Sequence, residues 1–163
     1  MTSPLVLVTG SNGYVGSLAL LKTLQAGYRV RAAVRSISRS NFLTSVPAIA
    51  PYTSSLSFVE IPEFTAAVKD VDSILHIATP PPPRPSAANP TTDSKVKRAV
   101  LPSSAAMLIP MQVYIDSGDA DNTYTAHSRF SDFTEPPYPS PKVAYRAGKI
   151  HATVWAEDLV KPQ

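Results

Sequence analysis

Tyr145 and Lys149 stand four residues apart in AYRAGK, the spacing that sets two side chains on one face of a helix, and together they could move a proton. An ammonium beside a phenol favours the ionised form of a group whose ordinary pKa is about 10, so Lys149 is expected to make Tyr145 a usable general acid near neutral pH. Read alone, a tyrosine and a lysine one turn apart are also common on plain surfaces. A second constellation is Thr9-Gly10-Ser11-Asn12-Gly13-Tyr14-Val15-Gly16, which spells T-G-x-x-G-x-x-G. In such a loop Gly10 makes the tight turn, Gly13 lets backbone approach a pyrophosphate, and Gly16 lets a helix pack closely on a strand. The helix that follows offers amide donors and a positive dipole end to the phosphates. Asn12-Gly13 by itself also suits a hairpin turn, but the helical period after Gly13 favours strand, turn and helix.

These groups need a scaffold, and the pattern supplies one. Leu5 to Val8 is a short apolar run after Pro4, suited to a strand buried on both faces. From Tyr14 to Ala26, Val15, Leu18, Leu20, Leu21 and Leu24 recur near helical spacing, and Gly27 offers a stop. Tyr28 to Arg35 reads as a second strand, which makes a parallel crossover unit. Ser36 to Ser55 has no clear period and is expected to hold a short helix or loop. Leu56 to Ile61, Ser73 to Ala78 and Arg98 to Leu101 read as further strands, with a helical stub from Phe64 to Val68. Prolines crowd the segment 80–95 and exclude a crossover helix there by missing donors and ring clashes. Residues 111–138 read as polar loop. The last element is a helix running nearly to Gln163, with Ser140 as N-cap, Pro141 at the first helical position, and Val143, Ala147, Ile150, Val154 and Leu159 as its apolar stripe.

The chain of 163 residues is the size of one ordinary domain, and with 44% hydrophobic and 17% charged residues it has a globular composition. With no cysteine, disulfides, a thiolate nucleophile and thiolate metal ligands are excluded. His76, His127 and His151 lack ligand spacing and read as one packed strand residue and two surface residues, so no metal site is expected. The net charge of +3 is mild. Lys95, Lys97 and Arg98 read as a solvated strand entrance; a nucleic-acid patch would call for interleaved aromatics, so no nucleic-acid partner is expected. The start, MTSPLVLVTG, lacks a basic leader and its apolar run is short, so no membrane association and a cytoplasmic location are expected.

The stretches LVLVTGSNGYVGS, GYRVRAAVRS, AAVKDVDSILHIATP, VKRAVLPSSAA and AYRAGK, in this order, touch most of the chain. In them the sequence resembles the extended short-chain dehydrogenases/reductases of the NAD-dependent epimerase/dehydratase superfamily, nearest the dihydroflavonol reductase and aldehyde (methylglyoxal) reductase branch. The resemblance implies an α/β fold of Rossmann type, a doubly wound parallel sheet, with residues 1–163 forming a single NAD(P)-binding domain. It implies that Gly10, Asn12, Gly13, Tyr14, Val15 and Gly16 line the cofactor, with Thr79 beyond the fourth strand. Arg35 matches the arginine that meets the 2′-phosphate in this branch, which makes NADP(H) the better cofactor than NAD(H); a solvated arginine at a strand end is the other reading. Tyr145 and Lys149 match the active-site Y-x-x-x-K, Lys149 also binding the nicotinamide ribose. Ser104 matches the serine that holds the substrate carbonyl, and Ser103 is a structural neighbour.

The sequence departs from its relatives in three places. The proline-rich 80–95 stands where they carry a crossover helix, one of two that form a four-helix dimer interface, so the resemblance leaves the oligomeric state open. Glu63 stands where an adenine-contacting aspartate is expected. Gln163 comes just past the catalytic helix, so an incomplete Rossmann sheet without the substrate domain is expected. The expected function is NADP(H)-dependent reduction of an aldehyde or ketone on a small molecule. The alternatives are a catalytically silent relative that at most binds nucleotide, and epimerase or dehydratase chemistry on a nucleotide sugar.

Overall fold

The strand β1, Leu5–Thr9, is buried at every position, as a strand must be when it has neighbours on both edges and layers on both faces. The computed structural model describes residues 3–61, 64–78, 95–110, 112–113, 123–125, 127–128 and 135–159. Glu63, Thr79 and residues 80–94 of the expected proline-rich loop lie outside them. Five strands form one parallel sheet in the order β3-β2-β1-β4-β5, with β2 at Arg29–Val34, β3 at Leu56–Glu60, β4 at Ser73–His76 and β5 at Arg98–Val100. This is the strand order of the Rossmann fold, in which the crevice at the carboxyl ends of β1 and β4 marks the switch point.

Alternation along β1 sorts the core into two layers. Val6 and Val8 join Val30, Ala32 and Val34 of β2 on one face, against Leu20, Leu24, Leu43 and Ile49. Leu5 and Leu7 join Ala33 on the other, against Ala67 and Val71. Leu7 and Val8 are fully buried, and burying each such side chain contributes about 1.5–3 kcal/mol.

The helix α1, Tyr14–Gln25, turns Gly16, Leu20 and Leu24 inward at four-residue steps. Val15 and Leu18, expected in its apolar stripe, are instead exposed, because at 100° per residue they fall off that line. Residues 36–55 hold two short turns, α2 at Ile37–Ser40 and α3 at Phe42–Ser45, and a 3₁₀ stretch at Ala50–Ser55. A further short turn, α4 at Phe64–Ala67, follows β3. The Arg31 guanidinium donates to the carbonyls of Ala67 at its end and Lys69 just after it, at 3.0 and 2.6 Å. Asp72 ties the start of β4 to β1: its carboxylate accepts from the Leu5 amide at 2.8 Å while its own amide donates to the Leu5 carbonyl at 2.9 Å. The basic trio at the entrance to β5, Lys95, Lys97 and Arg98, is exposed, and Lys95 meets Asp70 at 3.5 Å in an ion pair too solvated to add much stability.

The chain divides into two compact units. The first holds all five strands and the helices up to α4; the second holds a short 3₁₀ turn, Ala105–Met107, and the last helix, α5, at Pro141–Leu159. Ser140 caps α5 as expected, its hydroxyl accepting from the Val143 amide at 3.4 Å. Val143, Ala147 and Ile150 are buried, whereas Val154, expected in the same stripe, is exposed.

Candidate functional site

In the first unit, the glycine loop is built tightly against the end of β4. Thr9 is buried, and its hydroxyl accepts from the Ala78 amide and meets His76 Nδ1, each at 3.1 Å. His76 is thereby a packed strand residue, as read from the sequence. Gly10 has φ +69°, and a Cβ there would sit 2.8 Å from the Ala78 nitrogen, so both backbone and space demand glycine. The Gly13 amide donates to the Gly10 carbonyl at 3.0 Å, closing the turn. A Cβ on Gly16 would lie 1.9 Å from the Gly10 oxygen, which accounts for the third glycine.

The loop has the features of an anion cradle. Gly13 is the N-cap of α1 and supplies no side-chain cap, and no acidic residue lies in the first turn, so the positive helix end is met by neither a capping side chain nor a first-turn carboxylate. Ser11 is fully buried, and its hydroxyl has no hydrogen-bond partner among the described residues; burying a hydroxyl without a partner is costly. Tyr14 is 95% and Val15 60% exposed at the head of the helix. Glycine backbone, an uncapped helix N-terminus and an unsatisfied hydroxyl together fit a pyrophosphate. Asn12 is exposed in the same turn.

Arg35 is exposed directly after β2. The turn that follows is fastened by Glu60, whose carboxylate accepts from the Ile37 amide at 2.7 Å. Arg39, on that turn, is exposed as well.

In the second unit, Ser104 is the N-cap of the 3₁₀ turn, its hydroxyl accepting from the Ala106 amide at 3.2 Å. A hydroxyl has one proton to give, and this bond does not use it. The Ser103 hydroxyl instead meets Met107 Sδ and the Thr153 hydroxyl, which suits a structural neighbour. Tyr145 is 46% exposed on α5, and Lys149 Nζ lies 5.9 Å from its ring centroid. The pair therefore shares a helix face, as the spacing predicts. Sequence reasoning passed over Arg146, which is fully buried and donates from Nε to the Ala106 carbonyl and from Nη2 to the Ile109 carbonyl, each at 2.8 Å. A signal was available: Arg146 is three residues after Val143 and four before Ile150, inside the apolar stripe.

A family model described as the NAD dependent epimerase/dehydratase family matches residues 6–161. The chain belongs to that family. It is 29% identical over 194 aligned residues to a ketoreductase of Cercospora beticola, covering 99% of this chain and 53% of the relative. It is 39% identical over 107 residues to an NAD-dependent epimerase/dehydratase of Gibberella moniliformis, covering 60% of this chain and 27% of that one. Among solved structures, the yeast methylglyoxal/isovaleraldehyde reductase Gre2 complexed with NADPH superposes with a TM-score of 0.73 at 21% identity, over 96% of this chain and 52% of that one. Vestitone reductase from alfalfa superposes with a TM-score of 0.60 at 20% identity, over 95% and 52%. At these identities the structural likeness speaks for the Rossmann-like fold. The chain spans between about a quarter and about a half of the curated relatives it matches. Among the described residues, no helix is long and apolar enough to cross a membrane.

Proposed function

We propose that this member of the epimerase/dehydratase family reduces the carbonyl of a small aldehyde or ketone, with NADP(H) as cofactor. The observation that carries the reading is the second unit's arrangement: Tyr145 and Lys149 share one face of α5, and α5 is bonded through Arg146 to the turn that Ser104 opens. Bound NADPH would supply the hydride. The Ser104 hydroxyl would hold the carbonyl oxygen by donating a hydrogen bond, and the Tyr145 hydroxyl would deliver the proton to that oxygen. The Lys149 ammonium, 5.9 Å from the Tyr145 ring centroid, would hold the nicotinamide ribose.

The first unit carries the proposed pyrophosphate loop. Gly10, Asn12, Gly13, Tyr14, Val15 and Gly16 would cradle the pyrophosphate, and Ser11 would gain the partner it lacks. Arg35, exposed after β2, would meet the adenosine 2′-phosphate, which supports NADP(H) over NAD(H). Thr79 belongs to the same proposed lining. In this reading residues 1–163 work as one NAD(P)-binding domain, and a cytoplasmic setting goes with it. The name of one relative, a ketoreductase, supports carbonyl reduction, while another is named an NAD-dependent epimerase/dehydratase.

The test is steady-state consumption of NADPH with a panel of small aldehydes and ketones. Turnover is expected, and Tyr145→Phe should reduce it by about 100-fold or more, the usual worth of a general acid. NADPH binding with no turnover on any substrate would instead leave a nucleotide-binding protein without this chemistry.

A further inference from the structure

Arg146 is set between the two residues of the Tyr145 and Lys149 pair, and it is fully buried. A guanidinium cannot shed its charge, so it is buried only where acceptors meet it. Here Nε and Nη2, two of its three nitrogens, form a fork on two carbonyls, those of Ala106 and Ile109. The same short segment is wound on Ser104: the Ala106 amide donates to its hydroxyl, the Met107 amide to its carbonyl, and the Leu108 amide to the Ala105 carbonyl. The turn thus spends its amides inward on Ser104 and Ala105, and offers carbonyls to the neighbouring helix. Ala106 and Met107 on the turn, and Val143, Ala147 and Ile150 on the helix, are buried as well, so the fork lies among close-packed apolar groups.

We infer that Arg146 is a positioning residue: its two-pronged attachment fixes the register between the turn carrying the Ser104 hydroxyl and the helix carrying the Tyr145 hydroxyl. The inference rests on the proposed reduction for the roles of those two hydroxyls. Tyr145 is the residue immediately before it in the chain, so any slip of Arg146 carries the phenol with it. Lysine would keep the charge but not the planar fork, and could not hold both carbonyls in the same geometry.

The experiment compares the full chain with Arg146→Lys and Arg146→Met, each alone and combined with Ser104→Ala. It reads kcat, KM for a reduced aldehyde, NADPH affinity by nicotinamide fluorescence, and amide exchange at Met107 and Leu108. Both single changes should lower kcat by about 100-fold, the effect of a misplacement of about 1 Å, with KM and NADPH affinity nearly unchanged. In the Ser104→Ala background the same changes should cost less than about 5-fold, because residues acting through one another are not additive. Equal losses in both backgrounds, or a kcat that Arg146→Lys leaves intact, overturn the inference. Absence of any Tyr145-dependent turnover in the wild type overturns the reduction reading instead, and exchange then decides the matter. Faster exchange at Met107 and Leu108 in Arg146→Lys, with the sheet amides of Leu7 and Val8 unaffected, supports the brace; unchanged exchange at those two amides overturns it.

Discussion

The hydroxyl of Thr9, at the end of β1, accepts a hydrogen bond from the amide of Ala78, just beyond β4, at 3.1 Å. The two strands that flank the switch-point crevice are therefore joined at their carboxyl ends by a side chain as well as by their ladder. Thr9→Val keeps the shape and removes the acceptor. It should lower stability by about 1–3 kcal/mol, the cost of a buried polar group left without its partner. The check is a denaturant titration, with a lower midpoint at unchanged slope; a midpoint equal to the wild type's would show that the Ala78 amide is satisfied some other way.

Two glycines should respond in opposite directions to alanine. At Gly16 the new methyl would collide with the Gly10 carbonyl at 1.9 Å, so Gly16→Ala should destabilise the protein by about 1–3 kcal/mol or more and abolish nucleotide binding. At Gly148, inside α5, nothing lies within 4 Å of an added Cβ. Gly148→Ala should raise stability by about 0.5–1 kcal/mol, since alanine has less backbone freedom to lose in a helix. Thermal melts of the two variants measure both, and a stable Gly16→Ala protein that still binds NADPH would refute the loop geometry.

Arg35→Glu tests the cofactor preference. A charge-assisted contact to a phosphate contributes about 1.5–3 kcal/mol, so the affinity for NADPH should fall by about 10- to 150-fold. NADH affinity should stay the same or rise. Equal loss for both nucleotides, or no loss for either, would return Arg35 to the role of a solvated strand end.

The first unit was the more legible part of the chain because its signals are local. A strand buried on both faces shows as the unbroken run Leu5 to Val8, and each loop glycine answers to a steric demand that the structure makes explicit at Gly10 and Gly16. Ser140 and Pro141 likewise announce the start of α5. What escaped depends on contacts between distant residues. The 3₁₀ turn after Ser104 is too short to have a period, and although Arg146 falls inside the apolar stripe of α5, the acceptors that allow its burial, the carbonyls of Ala106 and Ile109, lie 40 and 37 residues away. The short turns between Ile37 and Ser45 are set by tertiary anchors such as Glu60, whose carboxylate meets the Ile37 amide from the next strand.

The most direct test of a nucleotide site in the Gly10–Gly16 loop is a titration of the purified protein with NADPH and then NADH, following nicotinamide fluorescence and the melting temperature together. Ligand that binds only the folded state at about 100 times its Kd adds about 2.7 kcal/mol of stability. The account predicts saturable NADPH binding with a clear rise in Tm, and a weaker response to NADH; no change in fluorescence or Tm with either nucleotide would contradict it.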